Sequence, residues 1–388
     1  MKYTADIVII GGGISGCSLA YYLTKAGFKK IILLEKSHLS SGATGSCGGG
    51  IRTLVTSGIK IKLAKESRKL FDEMQQELQF EKDLELNNAG YLILAYSEKS
   101  LEEIVNTIPF QKEHGVPVEY LKPGDVKSFF PAYCTKGLLG AAFHKDGASI
   151  NPHLVTVAYA EAARRNGVYI CNDTEAINFK IENGRINVVV TNRGDISTSV
   201  VVNASGMSFD LINKMSGINH DIINVECIDS WITNPIDKIE CPAITISYQD
   251  PFFLVSQRKN GNIHFMGNVR NFPGIQNKYR NENTIKEISD TFQFITRALP
   301  SFRKLKILRH WTGPIPVSPD THPVLGKSKA LDNFYFAGLL NGHGFTLAPV
   351  IGKLMADVIQ GEEPEISIET MDFERFERGE MLESHGLL

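Results

Sequence analysis

An apolar run at residues 5–10 leads straight into Gly11-Gly12-Gly13-Ile14-Ser15-Gly16, and this G-x-G-x-x-G pattern limits the fold more than anything else in the chain. Such a pattern means little by itself. Placed after a strand and opening a helix, it marks a βαβ unit that binds a dinucleotide. Both conditions hold here. Residues 5–10 suit a buried parallel strand, and residues 17–26 carry Leu19, Ala20 and Leu23 at helical spacing before Gly27, a fitting left-handed cap. Residues 30–34 form a second buried strand that ends at Glu35, with Lys36 beside it. Gly11 permits the tight turn, Gly13 lets backbone approach a pyrophosphate, and Gly16 lets helix and strand pack closely. Ile14, Ser15 and Gly16 open the helix whose unpaired N–H groups favour phosphate. Glu35 stands where an acid accepts hydrogen bonds from ribose hydroxyls, which argues against a 2′-phosphate and hence against NADP. The alternative is a surface glutamate that happens to follow a glycine-rich turn.

The chain of 388 residues is longer than one hydrophobic core usually sustains, so two domains are expected. Lysine plus arginine (41) nearly balance aspartate plus glutamate (43). With no basic run standing out, nucleic acid is not an expected partner. The longest apolar stretches are strand-sized, too short for a membrane span. Residues 1–6 lack the order of a secretory leader, and the expected location is the cytoplasm. Six cysteines lie scattered without a C-x-x-C pair, and ten histidines show no ligand spacing, so no metal site is indicated.

Residues 40–50 form a Gly/Ser/Thr segment, and 59–78 read as a helix with Leu63, Leu70, Phe71 and Met74 roughly on one face. Further helices are expected near 99–114 and at 152–166, where Pro152 suits the first turn, with a strand at 91–95. From 168 to 202 short strands alternate with turns at Asn183-Gly184 and 192–194. Strands at 222–227, 243–248, 252–256 and 263–267, with a helix near 282–298, point to a separate antiparallel layer. A strand at 334–337, a glycine loop at 338–344 and a helix at 346–359 follow.

The fingerprint does not separate FAD from NAD, but three features favour FAD. Residues 40–52 are too long and glycine-rich for a connector and are placed to run along an extended cofactor, with Ala43, Thr44, Gly49, Gly50 and Ile51 beside it. The buried run 200–204 meets small residues, Ala204 and Gly206, where backbone would pass a nucleotide. A third glycine loop brings Gly342, His343, Gly344 and Phe345 ahead of a late helix. Ala176, in the hairpin region, completes the cofactor-binding candidates. No second fingerprint occurs mid-chain, so there is no separate NAD(P)H domain and the reducing power is expected to come from the substrate.

On these residues the sequence resembles the D-amino-acid-oxidase-like flavoprotein superfamily, in particular sarcosine oxidase β subunits, glycine oxidase and archaeal dye-linked L-proline dehydrogenase β subunits. The likeness runs over essentially the whole chain. It rests on GGGISG with Glu35, SGATGSCGGGIR (41–52), WTGPIPVSPDTHPVLG (311–326), NGHGFTLAP (341–349) and RFERGE (375–380). It implies an α/β fold in which a Rossmann-type FAD-binding domain (1–80, 146–212 and 306–388) is interleaved with an antiparallel-sheet α+β substrate domain (81–145 and 213–305). It also implies FAD, covalent or noncovalent, and noncovalent FAD is expected here. Relatives that attach the flavin through histidine carry it in the segment matching 42–50, which has none, and the cysteine used by others matches about Gly313.

The implied chemistry is oxidation of a small amino acid or N-substituted amino acid such as proline, sarcosine or glycine. A hydride leaves the carbon beside a neutral amine for flavin N5, and the imine hydrolyses in water. Arg52 is the candidate for binding the substrate carboxylate, against the alternative of an arginine paired with an interface acid. His343 contacts flavin or substrate through its side chain, or else only its backbone matters. Tyr248, Phe252 and Phe253 are expected to face the flavin as an apolar lid, the alternative being plain core. Cys47 reads as a small structural thiol.

Several family features are missing here. Glycine oxidase has its carboxylate-binding arginine at about Ile315 and a tyrosine at about Phe253, and monomeric sarcosine oxidases have a lysine at Thr346. The lysine that promotes reaction with oxygen matches about Phe265, which favours a dehydrogenase with partner subunits or an electron-acceptor protein. Two alternatives stay open: an FAD-dependent 2-hydroxy acid dehydrogenase, and an FAD-binding assembly subunit without turnover.

Overall fold

The computed structural model describes residues 2–55, 57–248, 252–272 and 285–384. Its first strand, Lys2–Ile10, is flanked by parallel strands on both sides, Ile31–Leu34 and Gly194–Asn203. This central position explains its unbroken apolar end: Ile7, Val8 and Ile9 are fully buried, as strands covered on both faces must be. Tyr169–Cys171 extends the sheet beyond Ile31–Leu34, and Phe334–Gly338 extends it beyond Gly194–Asn203. The hairpin Ala176–Glu182 and Arg185–Thr191 adds to the same sheet. It turns at Asn183 and Gly184, both at positive φ (54° and 71°), the backbone that a two-residue hairpin turn demands.

Helices form where expected, at Ile14–Lys25, Gly58–Glu77, Glu98–Glu113 and Pro152–Arg165. Ser57 caps the second through its hydroxyl, and Asn151 caps the fourth by accepting from the N–H groups of His153 and Leu154. The helix expected from 282 is described as Ile285–Ala298, and residues 282–284 lie outside the described residues.

A second sheet of eight strands runs in the order Ile307–Val317, Asn224–Pro235, Asn262–Phe272, Phe253–Gln257, Ile244–Ser247, Tyr91–Ala95, Gly140–His144, Val118–Leu121. Every neighbouring pair is antiparallel except Ile244–Ser247 with Tyr91–Ala95. The strand Ile307–Val317, which falls in the part expected to bind the nucleotide (306–388), pairs with Asn224–Pro235 in this sheet. Pro314 and Pro316 hide it in the sequence. A proline cannot donate to a ladder, but this strand is at the sheet edge, where prolines are tolerated.

Side chains alternate across this sheet with period two. One face carries Leu92, Trp231, Phe253, Val255 and Phe265 into a cluster with Ile295 and Phe302. The other face carries Tyr91, Ile244, Leu254 and Met266 toward residues 48–50, and that face meets the active site.

A buried ion pair ties the C-terminal segment to the body. Arg375 Nε and Nη2 donate to the two carboxylate oxygens of Asp320 at 2.7 and 3.0 Å, and both side chains are almost fully shielded. Arg375 also donates to the carbonyls of Met371, Asp372 and His322. The two motifs 311–326 and 375–380 thereby clasp each other. Removing one partner of such a pair strands the other charge in a dry site, at about 3 kcal/mol or more. Arg375→Met should therefore lower the unfolding free energy by about that amount, read as a lower urea midpoint with an unchanged slope.

Candidate active site

The turn after the first strand is built for close approach. Gly11 has φ +119°, and a Cβ there would lie 2.4 Å from the Ala204 carbonyl oxygen. A Cβ on Gly16 would lie 2.0 Å from the Gly11 carbonyl oxygen. Only glycine supplies both the backbone angle and the clearance at Gly11. The helix that follows has Gly13 at its N-cap, with no side-chain cap from that residue and no acid in its first turn, so its positive end is open to an anion. Thr44 Oγ1 accepts from the Ile14 N–H at 3.2 Å and so brings the Ala43–Ser46 helical turn beside Ile14 and Ser15.

Glu35 is buried, and it accepts from the N–H groups of Gly12 (2.8 Å) and Ser37 (2.9 Å) and from the Ser41 hydroxyl (3.3 Å). It is therefore no stray surface acid. The Asp173 N–H donates to the Ser37 carbonyl and the Thr174 N–H to the Glu35 carbonyl, which sets the strand starting at Ala176 next to this corner. Lys36 reaches the Ser208 hydroxyl at 3.1 Å, across from Gly206 with its positive φ. The expected cradle residues around Gly11, Glu35 and Ala204 thus share one end of the parallel sheet.

The segment 43–52 then passes between the parallel sheet and the antiparallel one. A Cβ on Gly48 would meet Met266 and Leu254, and one on Gly50 would meet Tyr91 and Ile244. The Gly50 carbonyl accepts from Thr346 Oγ1 at 3.1 Å, which fastens the start of the helix Gly344–Gln360 to Gly50 and Ile51. Arg258 donates to the Gly48 carbonyl at 3.1 Å and also to His264 Nδ1.

At the end of this segment Arg52 donates to the Tyr248 hydroxyl through Nη1 and to His343 Nε2 through Nη2, the latter at 3.0 Å. His343 Nδ1 lies 2.9 Å from the Asn341 carbonyl, so it carries the proton and Nε2 is free to accept. Burial, followed by the cations Arg52 and Lys60, holds the His343 imidazole well below its usual range. Among the described residues no carboxylate pairs with Arg52. Both its partners are neutral, and its charge is left for something else to balance.

Three of the four expected catalytic residues, Arg52, Tyr248 and His343, therefore meet. Phe253 does not. It is fully buried on the opposite face of the sheet, 5.4 Å from the Phe294 ring, because its register position points away from residues 48–50. Leu254, one residue on, takes the place expected of Phe253, while Phe252 lies 6.0 Å from Tyr248. Phe265 likewise faces away, stacked on Trp231 at 5.0 Å.

These features match a known family. The sequence profile described as FAD dependent oxidoreductase (DAO) matches residues 6–358. The chain belongs to this family of FAD-dependent oxidoreductases. It is 24% identical to the sarcosine oxidase subunit beta of Rhodobacter capsulatus, over 98% of this chain and 91% of that one. It is 26% identical to the mouse mitochondrial pyruvate dehydrogenase phosphatase regulatory subunit over 96% of this chain, but spans only 43% of that longer protein. Among solved structures, L-proline dehydrogenase from P. horikoshii superposes with a TM-score of 0.90 at 30% identity, covering 98% of this chain and all of that one.

The residues of this FAD-dependent oxidoreductase fit the cofactor. Gly13 leaves the helix end open to a phosphate, Glu35 is fixed by Gly12, Ser37 and Ser41, and the buried Ser40 hydroxyl has no hydrogen-bond partner among the described residues. Cys47 is no reactive thiolate, since burial pushes its thiol up to about 11.

Sequence reasoning missed a buried polar layer behind Arg52. Lys60 donates to the Thr321 carbonyl (3.3 Å) and the Ser384 hydroxyl (3.4 Å), and burial together with Arg52 brings its ammonium down to about 8. His322 Nε2 lies 3.0 Å from the Ser57 hydroxyl, and His144 Nε2 lies 2.8 Å from Thr53 Oγ1. The sequence signal was Asp320-Thr321-His322 in motif 311–326, whose partners lie far away in the chain.

His144, His264 and His343 are all held below the ordinary histidine value, first by burial and then by nearby arginines. For His144 the depressed value is about 3, against 6.5 for a free imidazole. As pH falls below the free value, the unfolded chain takes up a proton that the folded chain refuses, so stability declines with acid. One such group contributes about 1.4 kcal/mol per pH unit. In urea titrations His144→Gln should make the decline between the free value and about pH 4 shallower by about that slope.

Proposed function

We propose that this chain oxidises a small amino acid or N-substituted amino acid of the proline, sarcosine or glycine type at the carbon beside the amine. The observation that carries this reading is the half-buried guanidinium of Arg52, next to residues 48–51 and balanced by no carboxylate among the described residues. A planar two-pronged cation left without a counter-charge is complementary to a substrate carboxylate. FAD, when bound, supplies the chemistry by accepting a hydride.

The remaining work belongs to the chain's own residues. Arg52 binds the carboxylate, and Tyr248 with His343 keeps its fork from swinging. His343 is neutral and adds no charge that would compete for the carboxylate. The positive charges of Arg52 and Lys60 disfavour a substrate ammonium and so favour the neutral amine that the reaction requires. Leu254, Met266, Phe252 and Tyr91 supply the apolar wall that keeps water from the reacting carbon.

The site-facing residues of the strand Asn262–Phe272 beside residues 48–50, His264 and Met266, include no lysine. This supports a dehydrogenase that hands electrons to a partner subunit or acceptor protein. The FAD is held without a covalent bond, because Gly313 and the segment 42–50 offer neither histidine nor a cysteine in the linking position. We propose a cytoplasmic location, on six scattered cysteines without a C-x-x-C pair. No described helix is long and apolar enough to cross a membrane.

Anaerobic mixing of the yellow protein with proline, sarcosine, glycine, D-amino acids and 2-hydroxy acids tests the reading. Bleaching by one or more amines is the expected outcome. Bleaching by hydroxy acids alone, or by nothing in the panel, contradicts it. Arg52→Met should raise the substrate dissociation constant by about a hundredfold or more. Acid denaturation should release all the yellow colour into the supernatant, and colour kept in the pellet would show a covalent bond.

A further inference from the structure

The near balance of charge over the whole chain hides a local concentration. Arg303, Lys304, Lys306 and Arg309 fall within seven positions and are all exposed. Among the described residues none of the four has an ion-pair partner. Ile307 and Leu308 lie among them, 41% and 62% exposed, which is unusual for large apolar side chains. They begin the strand Ile307–Val317, the edge of the antiparallel sheet. Its second half is protected by Pro314 and Pro316 and by Ala43–Ser46 packed against it, where Trp311 Nε1 donates to the Ser46 carbonyl at 3.3 Å. Among the described residues the first half has no such cover and no strand pairs with its outer side.

We infer that the outer edge of residues 307–310, with Arg303, Lys304 and Lys306 on the turn leading into it, is a docking surface for an acidic protein segment that adds to the sheet as a further strand. An open edge offers backbone N–H and C=O groups in register, and an added strand satisfies them. The four cations set the sign of the partner. They also repel a second copy of the same strand, since pairing two such edges would face like charges with one another. An anionic membrane would match the charges and the apolar side chains, but it offers no partners to the backbone groups. A protein segment with acidic and apolar residues in alternation meets all three demands. The docked segment would lie beside Ser46, at the flank of the segment expected to run along the flavin. The inference does not depend on which amine is the substrate.

The probe is a fluorescent peptide of alternating glutamate and valine, added to FAD-reconstituted protein and followed by anisotropy. Saturable binding is expected at low salt, weakening about tenfold on moving to physiological salt. Arg303→Glu, Lys304→Glu, Lys306→Glu and Arg309→Glu combined should weaken it about tenfold or more, with flavin spectrum and melting temperature unchanged. If the fourfold variant folds poorly, Lys306→Glu with Arg309→Glu should give a smaller loss in the same direction. A peptide methylated on alternate backbone amides should fail to bind. Equal binding by wild type and variants, or by the methylated peptide, overturns the inference. So does charge-dependent self-association of the chain alone, or saturable adsorption to phosphatidylserine vesicles without peptide binding. Because the readout is binding, its failure is separable from a failure of amine oxidation.

Discussion

The structure depends on how closely two backbones approach at the end of the first strand. Gly11 leaves that strand and passes against the carbonyl of Ala204, at a separation that no side chain allows. This contact joins the strands Lys2–Ile10 and Gly194–Asn203 at the point where the helix Ile14–Lys25 begins, and Glu35 closes the same corner by accepting from Gly12. A residue with a Cβ at Gly11 would push the two strands apart and move the helix end away from the phosphate position. The order of the whole nucleotide cradle follows from this one steric condition.

From the cradle the segment 43–52 carries the design to the second sheet. It is held from three directions: Thr44 on the first helix, Thr346 on the helix Gly344–Gln360, and Arg258 from the antiparallel sheet. A segment fixed in this way can end in a guanidinium whose position is not free to drift. Arg52 is then kept in place by neutral acceptors, and its charge stays available. The unusual energetics of the site all point the same way. Buried histidines are held neutral, a buried lysine is weakened, and Arg52 has no carboxylate partner among the described residues.

The Asp320–Arg375 clasp shows a different use of charge. Here cation and anion are matched and fully shielded, and the result is a fixed C-terminal segment that covers Lys60 through Ser384. The two arrangements differ in burial and in whether a carboxylate among the described residues supplies the counter-ion. Where it does, the charge has a structural role, and where it does not, the charge is available for binding.

The sequence by itself determined the βαβ unit, the acid at Glu35 and the FAD-length glycine segment, and it offered residues 52, 248 and 343 as separate candidates that the tertiary structure brings together. These are local patterns, or small-residue runs whose need for close backbone approach is visible without coordinates. What it did not determine was the direction of side chains on the antiparallel sheet. Phe253 and Leu254 are adjacent and both apolar, and only the pairing register decides which one faces the site. The edge strand Ile307–Val317 was likewise obscured by its prolines, since being at an edge is a property of the assembled sheet. The partnership of Asp320 with Arg375 spans 55 positions, and no periodicity links residues so far apart. Local chemistry is written along the chain, whereas facing, edge position and long-range charge pairing exist only once the sheets have closed on each other.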